Sequence, residues 1–227
     1  MSLRQFLYFT ALTVPACLGL ILWVDQPAAL FFHRHTTWAI PFFDGLTNTV
    51  DNAYNWLMMT NAGNIPLLFL GLLLAYVGGR WGLKQPWATV FLVTLLTHLA
   101  STITTNVLKG SVGRLRPEVL FGAGYEGLGL GRAGPFSDSF PSGHTALSLS
   151  LLLPLAVVFP RWRVPLLLLP VLIGVGRWVL GKHYLSDVWF SAWEVTAWTM
   201  LFGRLYRFPR TQPRAGQALP DPRALPR

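Results

Sequence analysis

The sequence has few charged residues and only one cysteine. Charged side chains make up 12% of its 227 residues, about half of the roughly 25% found in soluble domains, whereas 52% of the residues are hydrophobic. This imbalance argues against an ordinary soluble domain and indicates a membrane protein. The single cysteine, Cys17, excludes a disulfide framework or a cysteine-based zinc site within the chain.

Acidic residues are scarce as well. Nine Asp and Glu residues stand against 18 Lys and Arg residues, so the formal net charge is +9. An excess of positive charge is one signature of nucleic-acid binding. Most of these arginines, however, lie at the ends of apolar segments or in the C-terminal tail. That placement favours contact with a lipid bilayer, and no nucleic-acid partner is expected.

Six apolar segments are candidates for membrane-spanning helices, which need roughly 20 mostly apolar residues. The first is longer than the apolar core of a signal peptide and is not followed by a small-residue cleavage site, so we expect it to be retained. The predicted fold is therefore all-α, a polytopic membrane protein with six transmembrane helices in one domain over residues 1–207. The six segments cover residues 5–24, 56–79, 87–108, 142–159, 164–180 and 184–206.

Three segments lie outside the predicted spans. Residues 25–55 contain apolar stretches that are too short to cross a bilayer, so we expect helices lying at its outer surface. Residues 118–140 contain six glycines and should form an irregular outer loop. Residues 208–227 are rich in proline and arginine and should form a disordered cytoplasmic tail.

The distribution of Lys and Arg predicts the orientation, because the cytoplasmic ends of membrane spans carry an excess of both residues. Six alternating spans put eight basic residues on one side, and that side should be cytoplasmic. Both termini are then expected inside and the loop 118–140 outside. The eight residues are Arg4, Arg80, Lys84, Arg161, Arg163, Arg204, Arg207 and Arg210.

Residues suited to phosphate binding collect at the outer ends of the spans. Lys109, Arg116 and Arg177 supply three cations, and the arginine forks match phosphate oxygens. Ser142 and Gly143 stand at a predicted helix start, where free backbone N–H groups bind anions. Taken alone, Lys109 and Arg116 could be ordinary anchors at a helix end. Their convergence with the other residues favours a site for a dianionic phosphate.

Two histidines and an aspartate add catalytic chemistry at the same end. One of His144 and His183 can attack phosphorus while the other protonates the leaving oxygen. Asp187 follows His183 by four residues and can accept a hydrogen bond from one ring nitrogen, which exposes the other nitrogen as a nucleophile.

These residues fall into three spaced motifs. Lys109 and Arg116-Pro117 fit K-x6-RP, residues 141–144 read PSGH, and Arg177, His183 and Asp187 fit R-x5-H-x3-D. In this order the motifs resemble the three signatures of the type 2 phosphatidic acid phosphatase (PAP2) superfamily. That group includes lipid phosphate phosphatases and bacterial phosphatases that act on undecaprenyl pyrophosphate, phosphatidylglycerophosphate or lipid A. Vanadium haloperoxidases share the same pocket.

The resemblance implies a role for each position. His183 would form a phosphohistidine, His144 would be the general acid, and Asp187 would orient the nucleophile. Neither a metal nor another cofactor is implied. One position departs from the pattern, since the third motif usually has Ser where this chain has Gly176. The residues that would hold the phosphate are Lys109, Arg116, Ser142, Gly143 and Arg177.

The resemblance further implies hydrolysis of a lipid phosphate or pyrophosphate at the outer face of the bacterial inner membrane. Undecaprenyl pyrophosphate is slightly favoured as the substrate, with phosphatidylglycerophosphate, phosphatidate and lipid A as alternatives. A lipid-to-lipid phosphotransferase would carry identical motifs. A lipid binder or transporter without catalysis is disfavoured, because both histidines are present. The sequence leaves the oligomeric state open.

Other polar residues receive structural interpretations. His98, Thr102, Thr105 and Lys109 fall on one helical face, which predicts a stripe leading toward the site. We expect His98 and Glu194 to be buried packing residues within the bundle. For Arg114, a solvated charge in the loop is favoured over a contact to phosphate, and for His33 the default is a surface or head-group contact.

Overall fold

The computed structural model describes residues 2–58, 66–125 and 127–206, and these residues fold mainly into helices. This confirms the predicted all-α class. The predicted tail 208–227 lies outside the described residues. The α-helices are α1 (Leu3–Gly19), α2 (Asp25–His35), α3 (Ile40–Leu57), α4 (Leu67–Val77), α5 (Thr89–Val112), α6 (Pro117–Gly122), α7 (Gly143–Val158), α8 (Arg163–Val179) and α9 (Leu185–Leu205).

Three helical stretches are long and apolar enough to cross a membrane, namely Leu3–His35, Pro86–Gly122 and Pro160–Val179. Two shorter apolar stretches, Leu67–Gly82 and Gly143–Val158, overlap the second and fourth predicted spans. The sixth predicted span is helical as α9, which is less apolar because it carries Asp187, Glu194 and Arg204. Six crossings therefore stay a prediction.

The first helix does not end where its apolar run ends. A π-helical turn at Leu20–Val24 joins α1 directly to α2, so the helical stretch continues to His35. Asp25, the first residue of α2, is completely buried. The predicted boundary at residue 24 was therefore wrong, because a break in hydrophobicity is not a break in backbone hydrogen bonding. The interfacial position of residues 25–55 stays a prediction.

The centre of the bundle is α7, which packs against α5, α8 and α9. Its buried side chains are small, among them Ala146, Ser148 and Ser150. Small residues let helices approach closely where lipid supplies little driving force for helix association. Large apolar side chains such as Leu12 and Trp23 are exposed instead, which suits surfaces that face lipid.

The chain order brings four helix ends together. α5 and α8 finish, and α7 and α9 begin, at the same end of the bundle. Between them the Gly-rich loop is tied back by backbone hydrogen bonds, including Leu115 N–H to the Gly129 carbonyl at 2.8 Å. The sequence predicted an irregular loop over residues 118–140. Its first residues instead form the short helix α6.

Gly176, the departure from the usual Ser, lies against α3. A Cβ atom at Gly176 would lie 2.8 Å from Cδ1 and 3.3 Å from Cβ of Phe43. The Phe43 ring thus occupies the space that a serine side chain would take. Where the usual motif has a serine hydroxyl, this chain has a contact between the Phe43 ring of α3 and the backbone of α8 at Gly176.

We predict that Gly176→Ser destabilises the protein by about 1–3 kcal/mol, because extra atoms in a packed interface force a shift. Unfolding in detergent measures the loss. Gly71→Ser is the matched control, since a Cβ at Gly71 meets nothing within 4 Å. In a Phe43→Ala background, Gly176→Ser should lower the free energy of unfolding by less, and a double-mutant cycle measures this difference. Equal losses at Gly176 and Gly71 would contradict the packing argument.

Candidate active site

A cavity of about 340 Å³ opens where α5 ends and α7 begins. Five of the residues predicted for the site line it, namely Lys109, Arg116, Gly143, His144 and His183. Two cations and two imidazoles that are far apart in sequence therefore face one volume. This is the composition expected of a site that binds and transforms an anion.

The other three predicted residues do not line this cavity. Ser142 is the N-cap of α7, and its hydroxyl pairs with the Thr145 hydroxyl at 2.9 Å instead of a backbone N–H. Arg177 is buried near the end of α8, and its carbonyl accepts the His183 backbone N–H at 3.1 Å. Asp187 is fully buried in the first turn of α9.

Within the described part of the chain, three arginines around this site have an unsatisfied Nε atom, and in Arg114 the other guanidinium nitrogens are already paired with Asp25 and Asp187. The Nε atoms of Arg116 and Arg177 are buried without a hydrogen-bond partner among the described residues. Buried donors of this kind are uncommon and call for an explanation. A bound anion would supply the missing acceptors.

His183 is oriented by a backbone carbonyl. Its Nδ1 atom lies 2.6 Å from the carbonyl oxygen of Ser139. Because a carbonyl only accepts, Nδ1 carries the proton, and in the neutral ring Nε2 holds the free lone pair. Burial lowers the pKa of His183 to about 4, although Asp187 acts in the opposite direction. The imidazole is therefore neutral near pH 7.

The predicted hydrogen bond from His183 to Asp187 was wrong in its geometry. The carboxylate oxygen Oδ2 is 3.7 Å from Nδ1, too far for a hydrogen bond. Oδ2 instead accepts the Ser139 hydroxyl at 2.6 Å and the Tyr184 backbone N–H at 2.8 Å. Asp187 therefore acts on the histidine through Ser139 and through its charge.

The expectation that Arg114 is a solvated loop charge was also wrong. Its side chain is 1% exposed and forms ion pairs with Asp25 at 2.8 Å and Asp187 at 2.6 Å. The guanidinium also lies 4.2 Å from the centre of the Tyr184 ring. Asp25 comes from the start of α2, so this network joins the first helical stretch to the last. A carboxylate directly after an apolar span was the sequence signal for Asp25.

Two further carboxylates reach the predicted residues. Asp51 of α3 accepts a hydrogen bond from His144 Nε2 at 2.9 Å. Asp138 lies 2.8 Å from an Arg116 nitrogen and 3.3 Å from Lys109 Nζ. Neither aspartate falls in one of the three motifs, so neither was predicted from the sequence.

The stripe on α5 leads toward the cavity as predicted. Thr102, Thr105 and Lys109 line it, and His98 is buried below, with Nδ1 2.9 Å from the Ser150 hydroxyl. Glu194 is buried as expected, and Thr105 donates to it at 3.5 Å.

The described residues contain no group of three or more His, Cys, Asp or Glu side chains arranged to hold a metal ion. His33, outside the cavity, stacks on Phe121 with ring centres 4.0 Å apart.

The fold and the site define a helical protein with a cavity lined by cations and imidazoles at one end of its bundle, and comparison with known proteins gives the family. Residues 87–211, more than half of the chain, match the family described as the PAP2 superfamily. This chain belongs to the PAP2 superfamily. The matched region contains every residue of the three motifs.

Three relatives extend this result. A lipid A 1-phosphatase of Rhizobium johnstonii is 28% identical over 65% of this chain and 66% of its own length. A lipid A 1-phosphatase of Rhizobium etli is 31% identical over 60% of this chain and 61% of its own length. A PA-phosphatase related-family protein of Dictyostelium discoideum is 28% identical over 52% of this chain and 22% of its own length. The chain thus spans less than two thirds of each relative, and no solved structure matches it.

We predict that Asp25→Asn destabilises the protein by about 1–3 kcal/mol, because the amide weakens the buried hydrogen bonds that Asp25 accepts from Arg114 and Ser186, while Arg114 keeps its ion pair with Asp187. Unfolding in detergent, followed by circular dichroism, measures the change. Asp44→Asn is the control, since Asp44 is exposed and accepts a hydrogen bond from Asn48 at 3.1 Å. That surface change should stay within about 0.5 kcal/mol. An Asp25→Asn protein as stable as the control would show that the buried network carries little energy.

Proposed function

We propose that this protein is a membrane phosphatase that hydrolyses a lipid phosphate in two steps through a phosphohistidine. One observation carries the proposal: His183 lines a cavity with two cations, while its Nδ1 is held by the Ser139 carbonyl. This arrangement supports attack by the Nε2 lone pair on phosphorus. The phosphorus–oxygen bond to the lipid then breaks, and water later releases phosphate from the histidine.

His144 is the proposed general acid. Its Nε2 proton is held by the Asp51 carboxylate at 2.9 Å, which fixes the orientation of the ring. The leaving oxygen would take this proton by replacing Asp51 as the partner of Nε2. Asp51 is thus a proposed positioning residue. Its hydrogen bond with His144 Nε2 would form again after the product leaves.

The phosphate is proposed to lie between the cations and the start of α7. Lys109 and Arg116 line the cavity, and the unsatisfied Nε atoms of Arg116 and Arg177 are suited to phosphate oxygens. The N-terminal turn of α7 at Ser142 and Gly143 adds backbone N–H groups and the positive end of a helix dipole. These donors would also stabilise the charge of the transition state.

We infer that the site faces the outer side of the inner membrane, with six spans and both termini in the cytoplasm. The positions of the basic residues support this orientation. Arg4, Arg80, Arg163 and Arg204 lie at the ends of helical segments away from the cavity, and such residues are enriched on the cytoplasmic side.

The proposed substrate class is a lipid A-type phosphate monoester. Its support is the name shared by two relatives, lipid A 1-phosphatase. Neither relative favours undecaprenyl pyrophosphate, which the sequence analysis ranked first. Phosphate release by the purified protein from lipid A, undecaprenyl pyrophosphate, phosphatidylglycerophosphate and phosphatidate tests the class. Release should be fastest from lipid A and should persist when a chelator is added. A strong preference for another lipid would overturn the substrate assignment.

We predict that His144→Ala lowers kcat on a lipid phosphate by about 10²–10⁴-fold, because the leaving oxygen then departs unprotonated. With p-nitrophenyl phosphate, whose leaving group needs no proton, the loss should be much smaller. His33→Ala is the matched control and should change neither rate, since His33 lies outside the cavity. Equal losses on both substrates would contradict the acid role.

We also predict that wild-type protein quenched in alkaline detergent carries ³²P from a labelled substrate on a base-stable, acid-labile bond, and that His183→Asn carries none. Label on the asparagine variant would place the nucleophile elsewhere. Transfer of the label to a second lipid instead of water would favour the phosphotransferase alternative.

A further inference from the structure

A carboxylate of the chain itself sits on the cations proposed for phosphate. Asp138 Oδ2 accepts from an Arg116 guanidinium nitrogen at 2.8 Å and lies 3.3 Å from Lys109 Nζ, which also donates to the Asp138 carbonyl oxygen. Asp138 lines the same cavity as His144 and His183. The Asp138 carboxylate therefore occupies the place on Arg116 and Lys109 that the phosphate of a ligand would take.

This carboxylate is ionised in the resting protein. Burial alone would raise the pKa of Asp138, but the hydrogen bond from Arg116 and the charge of Lys109 outweigh it and lower the pKa to about 2. The two cations are thus neutralised in part before any ligand arrives.

The carboxylate is not needed to anchor its segment. The Asp138 side chain is 46% exposed, whereas the next residue, Ser139, is fully buried. Ser139 is fixed by its hydroxyl on Asp187 at 2.6 Å and by its N–H on the Arg114 carbonyl at 2.9 Å. Rotation of the Asp138 side chain would therefore remove the carboxylate from Arg116 and Lys109 without moving the backbone that holds His183, and Lys109 would keep its hydrogen bond to the Asp138 carbonyl.

We propose that Asp138 is an internal competitor, a carboxylate that must leave Lys109 and Arg116 before the phosphate of a substrate binds and that returns as the product phosphate leaves. The proposal rests on the proposed phosphatase function for the identity of the ligand. Such a residue sets affinity for the known class of anions without touching the bonds that change. It weakens substrate binding, and it also keeps inorganic phosphate from remaining on the cations after hydrolysis.

Competition of this kind has a quantitative signature. If the binding-competent state is a fraction of the protein, the apparent Kd of every ligand rises by the same factor, whatever its charge. A carboxylate that stayed beside the ligand would act differently, because it would repel a dianion more than a monoanion. A carboxylate with a purely structural role would, when removed, leave binding unchanged or weaken it.

The test compares the full chain in detergent with Asp138→Asn, which keeps the shape of the side chain and removes its charge. Two probes are titrated and followed by ³¹P NMR: inorganic phosphate at mildly alkaline pH, where it is a dianion, and dimethyl phosphate, a monoanion. We expect both to bind roughly tenfold more tightly to the variant, the size expected for two partly exposed ion pairs. Asp138→Glu should bind both probes about as weakly as the wild type, because the competing charge is restored.

Asp44→Asn is the matched control and should leave both affinities unchanged. Unaltered or weaker binding in Asp138→Asn would overturn the proposal, and so would a clearly larger gain for phosphate than for dimethyl phosphate. In steady-state hydrolysis KM and the inhibition constant of phosphate should fall together. The titrations need no turnover, so a protein that hydrolysed no lipid phosphate but showed the equal shift would overturn the proposed function alone.

Discussion

The buried ion pairs of Arg114 with Asp25 and Asp187 are the interaction on which the site depends. They join the start of α2 to the first turn of α9, and all three side chains are 0–1% exposed. Charges in such surroundings cost several kcal/mol each unless they are paired and hydrogen-bonded. The helix ends must therefore meet in one arrangement, and that arrangement fixes Asp187. Asp187 holds Ser139, and Ser139 holds the ring of His183.

The site consequently has two halves of different character. On one side His183, Ser139 and Asp187 are buried and held by several short hydrogen bonds, which keeps the imidazole of the proposed nucleophile in place before a ligand binds. On the other side Asp51 and Asp138 are partly exposed and hold His144, Lys109 and Arg116. The buried half holds the His183 ring in a fixed position. In the exposed half, the proposed function requires the cations and His144 to exchange their carboxylate partners for a ligand.

The sequence could predict the helices and the residues that meet at the cavity. Apolar runs of about twenty residues fix where helices lie, and alternation of direction brings the three motifs to one end. It could not predict the partners of Arg114, because Asp25 and Asp187 are remote in the chain and no periodicity relates them. The position of Asp138 could not be predicted for a related reason, since the glycine-rich loop before it has no regular geometry from which a side-chain position could be derived. The Ser139 carbonyl is a backbone group, and residue types carry no signal for it.

The length of α7 has a consequence for the membrane. Its 16 residues make a helix about 24 Å long, whereas the hydrocarbon layer is roughly 30 Å thick. In the proposed orientation Arg161 and Arg163 hold its lower end at the cytoplasmic interface, so Gly143 lies about 6 Å beneath the outer edge of the hydrocarbon. A head-group phosphate reaches this depth only where the bilayer is thinned or the lipid is drawn inward. In that orientation the thickness of the bilayer would add to the free energy of binding a lipid phosphate, and a thicker membrane would weaken that binding.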